Sequence, residues 1–422
     1  MSNFTIRFNE YTVHTRQWLA ENERQAQVIL AKAQENSVHP KCECTKNLPA
    51  FYVAKRNKYY LAKMPGTGKL HNPSCPSFEL DGQVRGLNAY EKNVIKLNSD
   101  GMLAVKIQTP FSHRRVDRNE RVSLGHGAVP SLSKTSQKQE SMSLSGLLAV
   151  LWEEAELNRW YPLFAGKRSW GVVRNRLTQA AENLVAKRTQ LSSILFIPES
   201  FRTERKDDID AKRKERFNSI MKFSNGKTQY MVVIGRVRMF EIGSDSISIR
   251  LAQQGNNLVY WGEQYIAKKI ASSGVQEAML DNDGDTKVMV MMVISRDIRD
   301  ALMIRDIGFL EIDDHYLPCK PNEDSDEDAI ITKLLIDNNR DFIKTMPYDP
   351  STNNVYPDFM LLDTGAKPMP MAIFHGFASE DILEARHVER KKWESEYGTA
   401  WIWNIEHHKK VHPVIPIKHK KE

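Results

Sequence analysis

Cys42 and Cys44 form a C-x-C pair, and His71 and Cys75 close the stretch "MPGTGKLHNPSC" as an H-x-x-x-C pair. Three thiolates and one imidazole are a closed tetrahedral ligand set for structural zinc. Three of the four cysteines of the chain lie in this one segment, and Cys319 stands alone far downstream. The alternative is three ordinary buried thiols and a loop histidine. The same stretch also contains Pro-Gly-Thr-Gly-Lys, the string of an ATPase phosphate loop. That loop needs G-x-x-x-x-G-K-[ST], because glycine amides cradle phosphate and the hydroxyl ligates magnesium. Here Lys63 stands at the first glycine position and Leu70 at the hydroxyl position. Pro73 and Pro76 also forbid the helix that should follow. The stretch is read as a metal site, not a nucleotide loop.

The two ligand pairs need an element that brings them together. Between them, "FYVAKRNKYYLAKM" reads as two short aromatic strands around Arg56-Asn57-Lys58, a hairpin whose base would hold both pairs. A bound ion would give this core-poor segment the stability that it lacks. Lys55, Arg56, Lys58 and Lys63, interleaved with Tyr59 and other aromatics, are the residue types that contact nucleic-acid backbones and stack on bases. The other reading makes the aromatics packing and the cations a wet face. Before the hairpin, Thr15 to Asn36 contains no Gly or Pro and predicts one helix, stopped by Pro40.

Further along, "GKRSWGVVRNRLTQAAENL" predicts an amphipathic helix capped by Ser169. With Lys167, Arg168, Arg174 and Arg176 it is a candidate helix-turn-helix recognition element. A helical bundle packing Trp152, Trp160 and Trp170 explains the same pattern. The charged run "RTERKDDIDAKRKER" (202–216) reads as a solvated helix or loop. "QYMVVIGRVRMFEI" and "SISIRLAQQ", joined at Gly243-Ser244-Asp245, read as strands, as does "TKVMVMMVIS".

In the C-terminal part a helix is followed by "YPDFMLLDTG", "PMPMAIFHG", a long charged helix and "TAWIWNIEH". This resembles the core order of restriction-endonuclease-like nucleases. Their signature is an acidic residue after Pro on one strand and acid-x-Lys on the next, holding magnesium and activating water. Pro357-Asp358 matches the first half. The second half is missing, since the strand offers Met371, Ala372, Ile373, Phe374 and His375. Asp358, with Asp363 or Glu384 as further magnesium ligands and Lys391 assisting the water, is the catalytic set expected if the domain cleaves. A degenerate fold used for binding or assembly is the alternative.

The segments "CEC", "YYLAKMPGTGKLHNPSCPS", "LWEEAELNRW", "KRSW" and "PDFMLLDTG" together resemble an uncharacterised bacterial family of plasmids and integrative conjugative elements. The resemblance covers most of the chain and implies DNA-related work in a mobile genetic element. It also implies an acidic residue near Ala372, which this chain does not have.

Composition sets the outer limits. At 422 residues, 41% hydrophobic and 27% charged, the chain predicts a folded multidomain protein. No run approaches the roughly 18 apolar residues of a membrane span. No basic patch with an apolar core opens the chain, and four scattered cysteines make no disulfide framework, so a cytoplasmic setting is expected. Lys+Arg outnumber Asp+Glu by 21 to 12 in residues 1–150 and by 21 to 13 in 151–270, but trail by 18 to 28 in 271–422. The basic part predicts a polyanion partner, and the acidic third a surface for protein partners.

The expected fold is multidomain α+β. Residues 1–111 hold the N-terminal helix and zinc hairpin, 112–143 a linker, and 144–222 a helical, helix-turn-helix-like part. A β-rich part (223–320), a restriction-endonuclease-like domain (325–410) and a basic tail (411–422) follow. Three functions stay open at this point. They are a DNA-binding protein of conjugation, DNA processing or phage defence with a degenerate nuclease-like domain, a non-enzymatic adaptor, and an active magnesium-dependent nuclease.

Overall fold

A computed structural model describes residues 4–55, 58–64, 67–80, 94–98, 102–114, 140–224, 227–255, 258–280, 286–320, 325–346, 355–374, 380–405 and 413–419. Arg56, and the expected linker from 115 to 139, lie outside these residues. The architecture is mixed α+β with several sheets.

At the N-terminus, strand β1 (Thr5–Arg7) pairs antiparallel with β2 (Lys41–Cys42), Ile6 standing opposite Cys42. The expected single helix is two, α1 (Arg16–Glu21) and α2 (Glu23–Glu35). Asn22 breaks the run, with ψ at 52° and its side-chain amide donating to the Trp18 carbonyl at 3.0 Å. A local side-chain bond of this kind competes with helix propagation. The short aromatic-rich runs "FYVAK" and "YYLAK" form the hairpin of β3 (Phe51–Lys55) and β4 (Tyr59–Lys63), in antiparallel register. Helix α2 buries Ala26, Leu30 and Ala33 and packs on that hairpin.

The middle of the chain is not purely helical. Helix α3 (Leu144–Glu154) is capped by Ser143 and is buried along most of its length. Strand β5 (Arg159–Trp160) follows, then α4 (Trp170–Glu182), β6 (Leu195–Phe196) and α5 (Lys206–Ile220). Helix α4 buries Trp170, Val173, Leu177, Ala180 and Ala181, so its apolar stripe serves packing. Ser169 occupies the N-cap position, but its side chain makes no capping bond.

Strands β7 (Met231–Ile242), β8 (Ser246–Leu251), β9 (Tyr260–Glu263), β10 (Lys287–Arg296) and β11 (Leu302–Ile312) close into a ring. β7 pairs with β8, and β8 with β9, both antiparallel. β9 pairs parallel with β11, and β10 joins β11 back to β7, both antiparallel. Helix α6 (Gln264–Ser272) lies between the third and fourth strands. This ring order, its one parallel pair and the helix position are the arrangement of an OB-fold barrel. Strand β6 adds to β7 in parallel on the outside. Val288 to Ile294 in β10 are all buried, so this strand is covered on both of its faces. Gly308 of β11 lies directly under the start of α3, where an added Cβ would strike the Leu144 and Ser145 backbone, so only glycine lets helix and barrel meet.

The last unit is α7 (Ser325–Asp337), β12 (Phe342–Lys344), β13 (Phe359–Leu361), β14 (Met369–Phe374), α8 (Glu380–Tyr397) and β15 (Trp401–Asn404). β12, β13 and β14 form an antiparallel meander, and β15 pairs parallel with β14. Beyond β12 the sheet gains a fifth strand from the middle of the chain: β5 pairs with it, Trp160 opposite Phe342.

Candidate metal centre and nucleic-acid interface

Each ligand arrives on a backbone fixed by local bonds. Cys42 sits on β2, held against β1, and its amide donates to the Pro49 carbonyl at 2.9 Å. After β4, Thr67 turns the chain with both its amide and hydroxyl donating to the Met64 carbonyl. A single 3-10 turn at Gly68–Leu70 then delivers His71. Gly68 is packed so closely on Glu79 that a Cβ there would overlap it, which explains the glycine in the string that mimics a phosphate loop. Over residues 71–80 no helix follows that string, so the phosphate-loop reading fails structurally as well.

The hairpin brings the two pairs together as its sequence predicts. One ligand atom from each of Cys42, Cys44, His71 and Cys75 lies within 4.8 Å of all the others, and all four residues are buried. Cys42 Sγ and Cys75 Sγ are 3.8 Å apart. His71 Nδ1 is 3.3 Å from Cys44 Sγ and 3.6 Å from Cys75 Sγ. A tetrahedral zinc ion with ordinary bond lengths has S···S edges of about 3.8 Å and S···N edges of about 3.6 Å. The donor set and its spacing fit a metal ion such as zinc.

The electrostatics agree. Backbone amides donate to the sulfurs, Asn72 N to Cys44 and Ser77 N to Cys75, each at 3.4 Å. Hydrogen bonds from Cys42 and Cys44 hold the Cys75 thiol far below its ordinary value. The contacts of Cys42 with Cys44 and Cys75, and its burial, push the Cys42 thiol up. Three crowded thiolates therefore need a cation before all can ionise. Behind the ligands, the Phe51 ring lies against the His71 ring, with centroids 5.4 Å apart. The buried Arg159 guanidinium donates to the carbonyls of Pro73 at 2.9 Å, Cys75 at 3.1 Å and Phe78 at 3.4 Å.

The carboxylates expected to hold magnesium are placed otherwise. Asp358 is buried, accepting from Ile373 N at 2.6 Å and from Lys320 Nζ at 2.5 Å. Burial raises its pKa, and Lys320 opposes the shift. Asp363 is buried too, but accepts from Arg340 at 2.7 and 3.1 Å and from the Asp341 amide at 3.0 Å. Glu384 and Lys391 are exposed on α8. Among the described residues these four make no metal-holding group with one another.

The residues expected to touch nucleic acid also divide. On the hairpin, Lys58 pairs with Glu23 at 2.7 Å, Lys63 pairs with Glu79, and Lys55 lies over the Tyr59 ring. Arg168 donates to the carbonyls of Leu157, Arg159 and His315, and burial brings its pKa down to about 9. Arg176 binds the Ala155 carbonyl and Glu156. Both act as clamps within the fold. Lys167 is exposed, and Arg174 opens on a cavity beside Ile197.

The barrel carries a surface that the strand-by-strand reading missed. Trp261 of β9 stands opposite Ser248 of β8 and Met303 of β11, and Arg250 stands opposite Met239 of β7. The register shifts between Val237 and Met239, so Arg238 and Met239 are both exposed. Trp261 is 40% and Met239 41% exposed. Ile298, on the loop between the fourth and fifth strands, is 98% exposed beside exposed Arg299. The available signal was "YWGE", where an aromatic sits at the solvent-facing step of the alternation.

Fold and site thus define a mixed α+β protein with an OB-type barrel and a buried Cys3His group able to hold a metal ion. The chain belongs to the family described as protein of unknown function (DUF1173), which it matches over residues 11–406. A search of curated proteins finds no match. Among the described residues no helix is long and apolar enough to cross a membrane.

Proposed function

We propose that the chain is a zinc-stapled, single-stranded nucleic-acid-binding protein that works through the outer face of its barrel. The observation that carries this reading is Trp261 standing exposed on the third barrel strand, with Met239, Arg250 and Arg238 around it and Ile298 and Arg299 on the loop above. OB barrels bind oligonucleotides on this second-and-third-strand face and on the loops that flank it. Aromatic side chains stack bases there and cations track the backbone. Arg250 is paired with Glu241 at 2.7 Å, an exchangeable surface pair that a phosphate can replace. The basic balance of residues 1–270 supports the same partner.

In this reading the ion is zinc, held by Cys42, Cys44, His71 and Cys75, and it is structural because no ligand position is open to substrate. The helix, meander, helix and parallel strand of the C-terminal unit support a nuclease-like core that has lost its catalytic metal site, since Asp358 and Asp363 are neutralised by Lys320 and Arg340. DNA is the partner that the resemblance to mobile-element proteins favours.

The test is anisotropy of labelled poly-dT and duplex oligonucleotides titrated with the full chain. Stacking on one aromatic contributes roughly 1–3 kcal/mol per base. Trp261→Ala should therefore weaken single-strand binding at least fivefold, and wild-type binding should fall steeply with salt. Equal affinity of wild type and Trp261→Ala would remove the barrel face from the function. Magnesium-dependent cleavage abolished by Asp358→Ala would restore the nuclease reading.

A further inference from the structure

A second site lies where α4, α5, the segment after β6 and the end of β8 meet. They enclose a cavity of about 300 Å3. This is the lower end of the roughly 300–1,000 Å3 typical of small-molecule sites. Arg174, Lys212, Arg213 and Arg216 line it, with Glu199 as the one acid. Among the described residues, only one of the four lining cations, Arg213, is paired with an acid. Glu199 faces Arg205 at 3.9 Å, and Asp210 takes Arg213 at 2.9 Å. Arg216 is anchored through the Ser192, Ser193 and Leu195 carbonyls, and Arg174 through the Ile197 carbonyl at 2.9 Å. Carbonyls fix a guanidinium but remove none of its charge. Lys212 is exposed, and among the described residues it has no acidic partner.

A further donor sits in the wall. Gln254 is only 4% exposed, and its Oε1 accepts from the Tyr260 hydroxyl at 3.0 Å. With the amide so oriented, Nε2 is a buried donor with no hydrogen-bond partner, on a residue that lines the cavity. A buried orphan donor is costly unless a ligand or water satisfies it. The rest of the wall is apolar, from Leu195, Ile197, Pro198 and Ile209.

Cations, an unsatisfied amide donor and an aliphatic surface in one cavity fit an anionic head on a flat apolar body. We propose that this cavity binds a phosphate monoester of nucleoside 5′-monophosphate size. The phosphate lies between Lys212, Arg213 and Arg174, and the base lies on Ile197 and Pro198, where Gln254 Nε2 donates to a ring or sugar acceptor. Free nucleotide and the 5′-phosphorylated end of a strand present the same chemistry. The site stands independently of the barrel face, because none of its residues lies there.

Titration calorimetry on the full chain tests it with dAMP, deoxyadenosine and inorganic phosphate. dAMP should bind and deoxyadenosine should not. Lys212→Glu, on an exposed helical position, should weaken dAMP at least tenfold. Gln254→Glu keeps the acceptor for Tyr260 but replaces the donor with an anion, and should weaken it similarly. Matching melting profiles of both variants and wild type confirm that the fold is intact. Binding of a 5′-phosphorylated oligonucleotide, displaced by dAMP and absent for the 5′-hydroxyl form, would identify the strand end as the source. Binding of dAMP alone would identify the free nucleotide. No dAMP binding at millimolar concentration, or equal binding by wild type and both variants, overturns the proposal. Trp261→Ala leaves this site intact, so failure here and failure of the barrel reading are distinguishable.

Discussion

The Arg159 guanidinium donates to the Cys75 carbonyl at 3.1 Å from a strand that belongs to the C-terminal sheet. The side chain that steadies the metal loop therefore stands on the same two residues that extend the sheet of β12–β15. Trp160, the neighbour of Arg159, pairs with Phe342 and belongs to the C-terminal core. The N-terminal metal group and the C-terminal unit are thus joined by a buried cation, beside a small apolar cluster in which Phe78 and Leu80 meet Ile343, Met360 and Leu362.

Removal of the ion should be felt beyond the hairpin. The purified chain is expected to hold close to one equivalent of zinc by plasma emission analysis. Cys44→Ser or chelation should lower its melting temperature by several degrees, because ion binding is folding free energy. The ligands must be deprotonated, so zinc should be released as pH falls. Less than half an equivalent of any metal would remove the assignment.

Arg159→Met should destabilise the chain by more than about 3 kcal/mol, since three carbonyls lose their donor and a stranded buried polar group costs roughly 1–3 kcal/mol. Urea unfolding measures this, and zinc content measured alongside should fall with it. A loss under 1 kcal/mol would show that the carbonyls find other donors.

Asp363 is expected to behave as a structural partner. Asp363→Ala leaves the buried Arg340 charge uncompensated, and breaking such a pair costs about 3–5 kcal/mol. Adding Arg340→Met should restore much of the loss. A double variant no more stable than Asp363→Ala would contradict this account.

Glu311 gives a pH dependence. Burial pushes its carboxyl up to about 7 from 4.5. The folded state then binds the proton more tightly than the unfolded state. The associated stability is fully present below pH 4.5 and is lost as pH rises through 7. A shift of that size corresponds to about 3 kcal/mol at most. Glu311→Gln should flatten this part of the stability profile, and an unchanged slope between pH 5 and 8 would dismiss the effect.

Local chemistry was legible in the sequence, and partnership at a distance was not. Cys42, Cys44, His71 and Cys75 could be grouped because a short aromatic hairpin has to return to its own base. The strands within "QYMVVIGRVRMFEI" and "TKVMVMMVIS" were readable from their apolar runs. Closure of the barrel was not, because Tyr260 meets Leu302 in a parallel pair across intervening helices, and periodicity names no partner. Two residues, Arg159 and Trp160, are too few to show a strand pattern, so the link from the middle to the C-terminal sheet was invisible. Asn22 hid a helix break behind neighbours that all favour helix. The run 202–216 looked merely solvated because Arg213 and Arg216 find their cavity only when Gln254 and Ile197 arrive from elsewhere.

The pairing of Trp160 with Phe342 has a consequence for dissecting the chain. A fragment beginning at Ser325 would keep both helices and all four of its own strands, yet leave β12 as a bare edge of unpaired backbone groups beside the apolar face of Phe342. Uncovered edges of this kind recruit other strands. Such a fragment is expected to self-associate edge to edge, whereas the intact polypeptide carries its own blocking strand.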